Sequence, residues 1–413
     1  MNSPKKIAIV VGVFPSVSEA FIVNQIEYLI SKGHKVDILA TRKLDKANSL
    51  FSSEKYKDLI ERANLLSNEG VIPNSKAARF VKAIKLFLKF KLTINLFKTF
   101  NIFKYRNEAL SFKAFYRLYY QHFFTINNYD IVHIHFGDNA IHLKNQIKNF
   151  DKKILLSFHG YDAHKFDAEF YKPLVDVENI EITVNTNYTS SKVRQLGFRH
   201  KIHVLPVGLD TKFFKPIDNQ SSEEKDSIKL LFVGRLVEFK APLIAISIVE
   251  ELIKQGVLAE MNIIGNGPLI DKCKSVITEK NLKNHINLLG SKSQEEIVEM
   301  MNMSTIFVYP GIVDQTGRCE NQGLVLQEAQ AMQLPIVTSN VGGIADGLID
   351  NKTGFLVAEK DIYEFVSKII WLIDNPKERK AMGEAGREFV KANYDSAILG
   401  KKLLSIYNNS VCI

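Results

Sequence analysis

Ile228-Lys-Leu-Leu-Phe-Val-Gly-Arg-Leu-Val-Glu-Phe-Lys240, running on into Ala241-Pro-Leu-Ile-Ala-Ile-Ser-Ile-Val-Glu-Glu-Leu-Ile-Lys-Gln255, decides the fold. Residues 228–233 form a short, almost wholly apolar run closed by Gly234. Such a run reads as a strand covered on both faces. Residues 241–255 space apolar side chains at three- and four-residue steps behind Pro242, as a helix with one buried face does. Strand, loop and helix together make one unit of a parallel sheet.

The same alternation extends in both directions. Strand candidates lie at 6–12, 35–40, 131–136, 154–159, 181–185 and 202–206, then at 228–233, 261–265, 286–289, 305–309, 335–338 and 354–357. Helical stretches fall at 19–32, 140–149, 241–255, 268–279, 293–302, 324–333 and 361–374, and 384–413 is helical in pattern. Two such series predict an α/β protein with two doubly wound domains. The seam falls near 209–227, where Pro206, Gly208 and Asp210 precede the polar run Asp218-Asn-Gln-Ser-Ser-Glu-Glu-Lys-Asp226. Ligands of open parallel sheets bind at the carboxyl ends of the strands, so two facing sheets would line one cleft.

The chain has 413 residues, 46% hydrophobic and 24% charged, which excludes collagen-like, disordered and coiled-coil classes. Lys and Arg number 54 against 45 Asp and Glu, a net charge of +9. That surplus suits an anionic partner: phosphate, nucleic acid or an acidic lipid surface. Cys273, Cys319 and Cys412 offer neither zinc spacing nor a disulfide framework, which fits a reducing compartment. Lys5 and Lys6 before Ile7–Phe14 superficially resemble a signal peptide, but the run is short and a first buried strand suits it better. No stretch reaches the roughly 18 apolar residues needed to span a bilayer. The expectation is a cytoplasmic protein, soluble or peripheral at the inner face of the cytoplasmic membrane.

From Gly70 to Asn107 there is no Asp or Glu. Lys82, Lys85, Lys89 and further cations alternate there with Phe80, Leu86, Phe87, Leu88 and Phe90. The pattern has two readings. One is a cationic amphipathic helix lying on anionic headgroups, with Lys82, Lys85 and Lys89 on the membrane or acceptor surface. The other is a core-packing helix with a solvated basic face. Nucleic acid is not expected as a partner.

Candidate chemistry follows the strands. After 228–233 come Gly234, Arg235 and Lys240, then a helix start; two cations and a positive helix end suit a diphosphate, and two exposed loop cations are the plain alternative. After 261–265 come Gly265-Asn-Gly267-Pro268, a close backbone approach to a ligand or a tight turn. After 305–309 come Glu320-Asn321-Gln322-Gly323 and a helix reaching Glu328. These carboxylates could accept bonds from sugar or ribose hydroxyls, or could cap a helix and sit on its surface. Strand 154–159 ends at His159-Gly160-Tyr161-Asp162, while His133 and His135 alternate along 131–136 and either pack or line the base of the same cleft. No metal-ligand spacing is present.

Together these residues resemble the retaining glycosyltransferases of the GT-B architecture, the bacterial group 1 or family 4 class that builds exopolysaccharide, capsule and O-antigen. The resemblance covers nearly the whole chain. It rests on Val204-Leu-Pro-Val-Gly-Leu-Asp210, Leu231-Phe-Val-Gly-Arg235 with Lys240, Ile264-Gly-Asn-Gly-Pro268, Glu320-Asn-Gln-Gly-Leu-Val-Leu-Gln-Glu328, Val341-Gly-Gly-Ile344 and Asn351-Lys-Thr-Gly-Phe-Leu356. It implies two Rossmann-like doubly wound domains facing across a cleft. Residues 1–209 would form the acceptor-side domain and 210–394 the nucleotide-sugar domain, with a helix at about 395–413 packing back on the first. It implies a metal-independent, retaining transfer from a nucleotide-diphosphate sugar to a glycan or lipid-linked acceptor, with no resident cofactor.

By that resemblance, Arg235 and Lys240 grip the diphosphate, Glu320 holds the sugar hydroxyls and Glu328 the ribose. His159 sits beside the reacting sugar, so His159, Arg235, Lys240 and Glu320 form the catalytic set. Gly234, Gly265, Gly267, Asn321 and Gly323 complete the donor site. The chain departs from the pattern at Val13-Phe-Pro-Ser16, where the family has paired glycines, and at Glu320-Asn-Gln-Gly323, where it often has Glu-Gly-Phe-Gly. Two alternatives stay open: a nucleotide-sugar epimerase or other GT-B enzyme, and a non-catalytic nucleotide-sugar binder.

Overall fold

The computed structural model describes residues 3–14, 16, 19–40, 73–90, 103, 107–115, 124, 127–217 and 228–408. The chain divides into two compact units. The first holds Met1–Val184, Ser190–Val204 and Lys402–Ile413; the second holds Asn185–Thr189 and Leu205–Lys401.

The first unit carries β1 (Lys6–Val11), β2 (Lys35–Ala40), β3 (Ile131–His135), β4 (Lys153–Phe158), β5 (Ile180–Val184) and β6 (Ile202–Val204). They form one sheet in the order β2-β1-β3-β4-β5-β6, and every pairing is parallel. Helix α1 (Ala20–Ser31) lays Ile22, Val23, Ile26 and Leu29 inward, the three- and four-residue spacing that a single buried face requires. The second unit carries β7 (Ile228–Val233), β8 (Ala259–Ile264), β9 (Ile286–Gly290), β10 (Ile306–Tyr309), β11 (Ile336–Ser339) and β12 (Phe355–Val357). Their order is β12-β11-β10-β7-β8-β9, again all parallel. Each strand candidate became a strand, because a sheet covered on both faces buries nearly every strand residue and so demands apolar runs. Leu231, Phe232, Phe307 and Val337 are wholly buried at the centre of the second core. Burial on this scale contributes about 1.5–3 kcal/mol per large side chain.

Two helical readings shift. The stretch 140–149 is two short helices, Gly137–His142 and Lys144–Ile147. The terminal stretch is two helices, α9 (Pro376–Asn393) and α10 (Ser396–Asn408), whose numbers follow α2 (Lys76–Phe90), α3 (Asn187–Gln195), α4 (Pro242–Lys254), α5 (Ile270–Glu279), α6 (Gln294–Met303), α7 (Leu324–Ala331) and α8 (Ile362–Asp374). The break at Tyr394-Asp395 has a local cause. The Leu209 N–H donates to the Tyr394 carbonyl (3.0 Å) and the Ser396 N–H to the Leu209 carbonyl (2.9 Å), which draws this backbone out of the helical ladder. The long stretch of the second unit starts at Leu205, and just beyond it the Gln322 amide clasps Val207: Val207 N–H to Oε1 at 2.8 Å, and Nε2 to its carbonyl at 2.9 Å. The change of unit within α10 falls at Lys402, later than 395. The polar run 218–226 lies outside the described residues.

Candidate active site

In the second unit β7 and β10 lie side by side, pairing Ile306 with Leu230 and Phe307 with Leu231. By order within that unit they are the first and fourth strands of a sheet arranged 3-2-1-4-5-6. This is the switch point, where connections leave to opposite faces and open a crevice at the carboxyl ends. The candidate residues emerge there. β7 runs out through Gly234 and Arg235 into a 3-10 turn, Glu238–Lys240. Ala241 then takes a left-handed conformation (φ 52°, ψ 50°) that turns the chain into α4.

Lys240 Nζ lies 2.7 Å from Glu320 Oε2 and 2.8 Å from the Tyr309 hydroxyl. Tyr309, the last residue of β10, is wholly buried, with its ring stacked at 5.7 Å on Phe232. Its hydroxyl donates to the same Glu320 oxygen. Burial alone would raise the Glu320 carboxyl, but Lys240 and the hydroxyl outweigh it and hold it below its ordinary value. The ammonium thus spends two of its three N–H groups on Tyr309 and Glu320, and the third has no hydrogen-bond partner among the described residues. Arg235 is exposed and makes no side-chain hydrogen bond or ion pair among the described residues.

Glu320 is in the loop before α7, and Gly323 (φ 68°) caps that helix. Glu328 is half-buried within α7, and its carboxyl has no hydrogen bond among the described residues. Burial pushes its carboxyl up to about 7, against the pull of Lys240 nearby. Asn321 is engaged by the protein itself: its side-chain oxygen accepts from the hydroxyls of Thr186 (3.2 Å) and Thr189. The Gly343 N–H donates to the Glu320 carbonyl (3.1 Å), pinning the same loop. Cys319 packs its sulfur 3.3 Å from the Tyr188 hydroxyl. Gly265 (φ 137°) lies so close to the Gly234 carbonyl that a Cβ would overlap it, and Gly267 meets the Leu236 backbone in the same way. This packing of loop on loop by itself accounts for glycine at both positions.

In the first unit the switch point lies between β1 and β3. His133 and His135 are wholly buried and stacked at 4.2 Å. His133 bonds Tyr407 of α10 (2.7 Å) and Ser157 of β4 (2.6 Å). His135 Nδ1 stands 3.0 Å from His159 Nε2, with the two rings nearly parallel. Burial pulls His133 down to about 3 and His135 well below its ordinary value, with neighbouring histidines adding to both. Asp162, wholly buried, accepts from the Gly137 N–H (2.8 Å) through one oxygen and the His159 N–H (2.9 Å) through the other. One carboxylate therefore ties the turns that follow β3 and β4. Burial pushes it up to about 7, and those two N–H groups oppose the rise.

Helix α2 carries exposed Phe80, Val81, Ile84 and Leu88 beside exposed Lys85 and half-buried Lys82. The side chain of Lys89, and Lys91, Lys98, Lys104 and Arg106 beyond it, lie outside the described residues. Among the described residues no helix is long and apolar enough to cross a membrane. Among them, too, no three His, Cys, Asp or Glu converge as a metal site would need.

Sequence reading missed Tyr309, Asp162 and the Thr186–Thr189 pair. Tyr309 had a signal: a hydroxyl ending a strand that is otherwise apolar. Asp162 stood in a motif already singled out for its histidine. Thr186 and Thr189 had none, because their partner Asn321 is more than a hundred residues away.

Two family models match the chain: glycosyl transferases group 1 over residues 213–389 and glycosyltransferase family 4 over 18–213. The chain is 24% identical over 406 residues to WcaL of Escherichia coli, named as a colanic acid biosynthesis glycosyltransferase, covering 95% of this chain and 97% of that one. It is 26% identical over 402 residues to AmsK of Erwinia amylovora, named as an amylovoran biosynthesis glycosyltransferase, with the same two coverages. Among solved structures it is similar to a glycosyltransferase from Rickettsia africae (TM-score 0.71, 19% identity, 99% and 100% covered). It is also similar to Anabaena HepE in complex with UDP (TM-score 0.70, 14% identity, 97% and 99% covered). These likenesses fit the pair of parallel sheets as two Rossmann-like domains of the GT-B fold. With the two models reaching between them from residue 18 to residue 389, the chain belongs to the group 1 glycosyltransferases and is a glycosyltransferase enzyme.

Proposed function

We propose that the protein transfers a hexose from a nucleotide-diphosphate sugar to a glycan or lipid-linked acceptor in surface-polysaccharide synthesis, with retention of anomeric configuration. The observation that carries this reading is Lys240, held 2.7 Å from Glu320 and 2.8 Å from Tyr309 at the β7/β10 switch. Breaking a sugar–phosphate bond leaves extra negative charge on the diphosphate. A cation fixed in advance meets that charge without reorganisation. Lys240 is such a cation and the exposed Arg235 adds a second positive charge, so the transfer needs no resident metal. Glu320 binds sugar hydroxyls and Glu328, whose carboxyl has no hydrogen-bond partner among the described residues, takes the ribose. His159 acts beside the transferred sugar. The names of WcaL and AmsK, with UDP bound in HepE, support the substrate class. Retention of Arg235, Lys240, Glu320 and Glu328 favours an enzyme over a passive binder.

The exposed apolar and basic face of α2 docks this enzyme on an anionic membrane, where a lipid-linked acceptor would lie. Changing Lys82, Lys85 and Lys89 to Glu lowers sedimentation with phosphatidylglycerol vesicles by about 1 kcal/mol per cation; unchanged sedimentation returns α2 to a solvated helix. For the reaction, a mass-spectrometric screen of nucleotide sugars with lipid-linked glycan acceptors should show transfer and release of the nucleoside diphosphate. Tight donor binding with neither transfer nor hydrolysis would identify a binder instead.

A further inference from the structure

We propose that Thr186 and Thr189 are positioning residues for Glu320: they hold the Asn321 side chain, and Asn321 in turn holds the Glu320 carboxylate through its backbone N–H. Asn185–Thr189 belong to the second unit, so this chain of contacts lies wholly within it. The Asn321 side-chain oxygen accepts from Thr186 Oγ1 at 3.2 Å and from Thr189 Oγ1. The two hydroxyl oxygens stand 3.0 Å apart, and the Thr189 N–H donates to that of Thr186 at 3.2 Å. Both threonines are buried. Their segment is anchored as well. Asn187 gives its backbone N–H to one Asp346 carboxylate oxygen (2.6 Å) and its side-chain amide to the other (3.1 Å).

The clamp bears on the carboxylate because a single peptide group joins the two residues. Burial pushes the Glu320 carboxyl up; Lys240, the Tyr309 hydroxyl and the Asn321 N–H pull it down. Lys240 and Tyr309 both reach Oε2 with side chains from other loops and strands. The Asn321 N–H instead moves with the loop that carries Glu320. Its peptide is held at both ends: the Gly343 N–H takes the Glu320 carbonyl at 3.1 Å, and the threonines take the Asn321 side chain beyond it. Held at the carbonyl end alone, the peptide is free to rock and carry its N–H off the carboxylate. The clamp does not depend on where the hydroxyl hydrogens lie. If one threonine donates to the other, the second still donates to Asn321, and a reversed Asn321 amide would donate to the same two oxygens. A carboxylate fixed in advance meets sugar hydroxyls without reorganisation. That kinetic consequence rests on the role proposed above for Glu320; the positioning does not.

Paired substitutions test this. Thr186→Val/Thr189→Val keeps the shape of both side chains and deletes both hydroxyls, whereas Thr186→Ser/Thr189→Ser keeps the hydroxyls. Each pair is also made with Asn321→Gly, which removes the clamped side chain. The Glu320 carboxyl is titrated by 13C NMR on glutamate-labelled protein, with its signal assigned through its loss in Glu320→Gln. The Val pair should raise its midpoint by about half to one pH unit, as weakening one hydrogen bond to a charge does. The Ser pair should match the wild type, and Asn321→Gly alone should match the Val pair. In the Asn321→Gly background the Val pair should add nothing, because the hydroxyls act through that side chain. With UDP-glucose or GDP-mannose as donor, kcat/KM should fall roughly threefold to tenfold in the Val pair and recover in the Ser pair. Affinity for UDP and GDP, which lack the sugar, should stay the same. Should the Val pair fail to fold, Thr189→Val alone carries the same contrast. An unshifted midpoint in the Val pair, or an equal shift with and without the Asn321 side chain, overturns the proposal. A shifted midpoint with constant kcat/KM upholds the positioning and overturns the role given to Glu320.

Discussion

The two switch points solve opposite problems. At β7/β10 the second unit keeps its charges: Lys240, Glu320 and an exposed Arg235, with the Tyr309 hydroxyl bonded to both members of the ion pair. At β1/β3 the first unit discards charge: His133 and His135 are stacked, buried and neutral. One sheet architecture thus carries two opposite electrostatic settings at the same topological position. Under the function proposed above, the charged switch is where a diphosphate departs, because fixed cations are worth most where water cannot compete with them. The neutral imidazoles of the first unit add no charge to the strand ends that carry them.

Removing the cation should break the contrast most severely. Lys240→Ala is expected to cut turnover by about a hundredfold or more, as the loss of one preorganised donor does. A steady-state kcat near wild type would show that the ion pair is only structural. Next in size is Tyr309→Phe, which keeps the stacked ring and deletes one hydroxyl. Losing a bond to a charged group predicts roughly a tenfold fall in kcat with the melting temperature little altered; equal loss of both would make Tyr309 a packing residue.

Ala241 offers a smaller and opposite change. At φ 52° an alanine pays for a conformation that glycine adopts freely. Ala241→Gly should therefore stabilise the fold by up to about 1 kcal/mol in denaturant unfolding. Destabilisation would show that the methyl group packs more favourably than its backbone is strained.

The remaining prediction is a pH dependence and concerns Glu328. Its folded carboxyl is raised to about 7, so the native state holds a proton that the unfolded chain has already released above pH of about 4. Glu328 then favours the fold most at low pH, and that contribution declines as pH rises toward 7. Glu328→Gln carries no such proton. Its melting temperature relative to wild type should rise between pH 5 and 7 and level off above, with a slope of at most about 1.4 kcal/mol per pH unit. A flat difference would place Glu328 in contact with water.

Much of this was legible beforehand, for an identifiable reason. Strands such as Ile131–His135 and Ile228–Val233 are buried on both faces, so each leaves an apolar run in the sequence. Lys240 and Glu320, which the fold brings together, were legible because loops after strands carry few residues, and charged ones stand out. What stayed hidden depends on partners far along the chain. Nothing near Asn321 announces Thr186 and Thr189, and nothing near Leu209 announces that it would interrupt the terminal helix at Tyr394. Tyr309 looked like core because it is core; only its hydroxyl belongs to the site.

Under the proposed function the β7/β10 switch holds a nucleoside diphosphate by its phosphates. Titration calorimetry with UDP and with GDP, on wild type and on the Arg235→Ala/Lys240→Ala variant, tests it most directly. One of the two nucleotides should bind the wild type and lose at least about a hundredfold in affinity in the variant, since two charge-assisted contacts are removed. Equal affinity in both proteins would contradict the account.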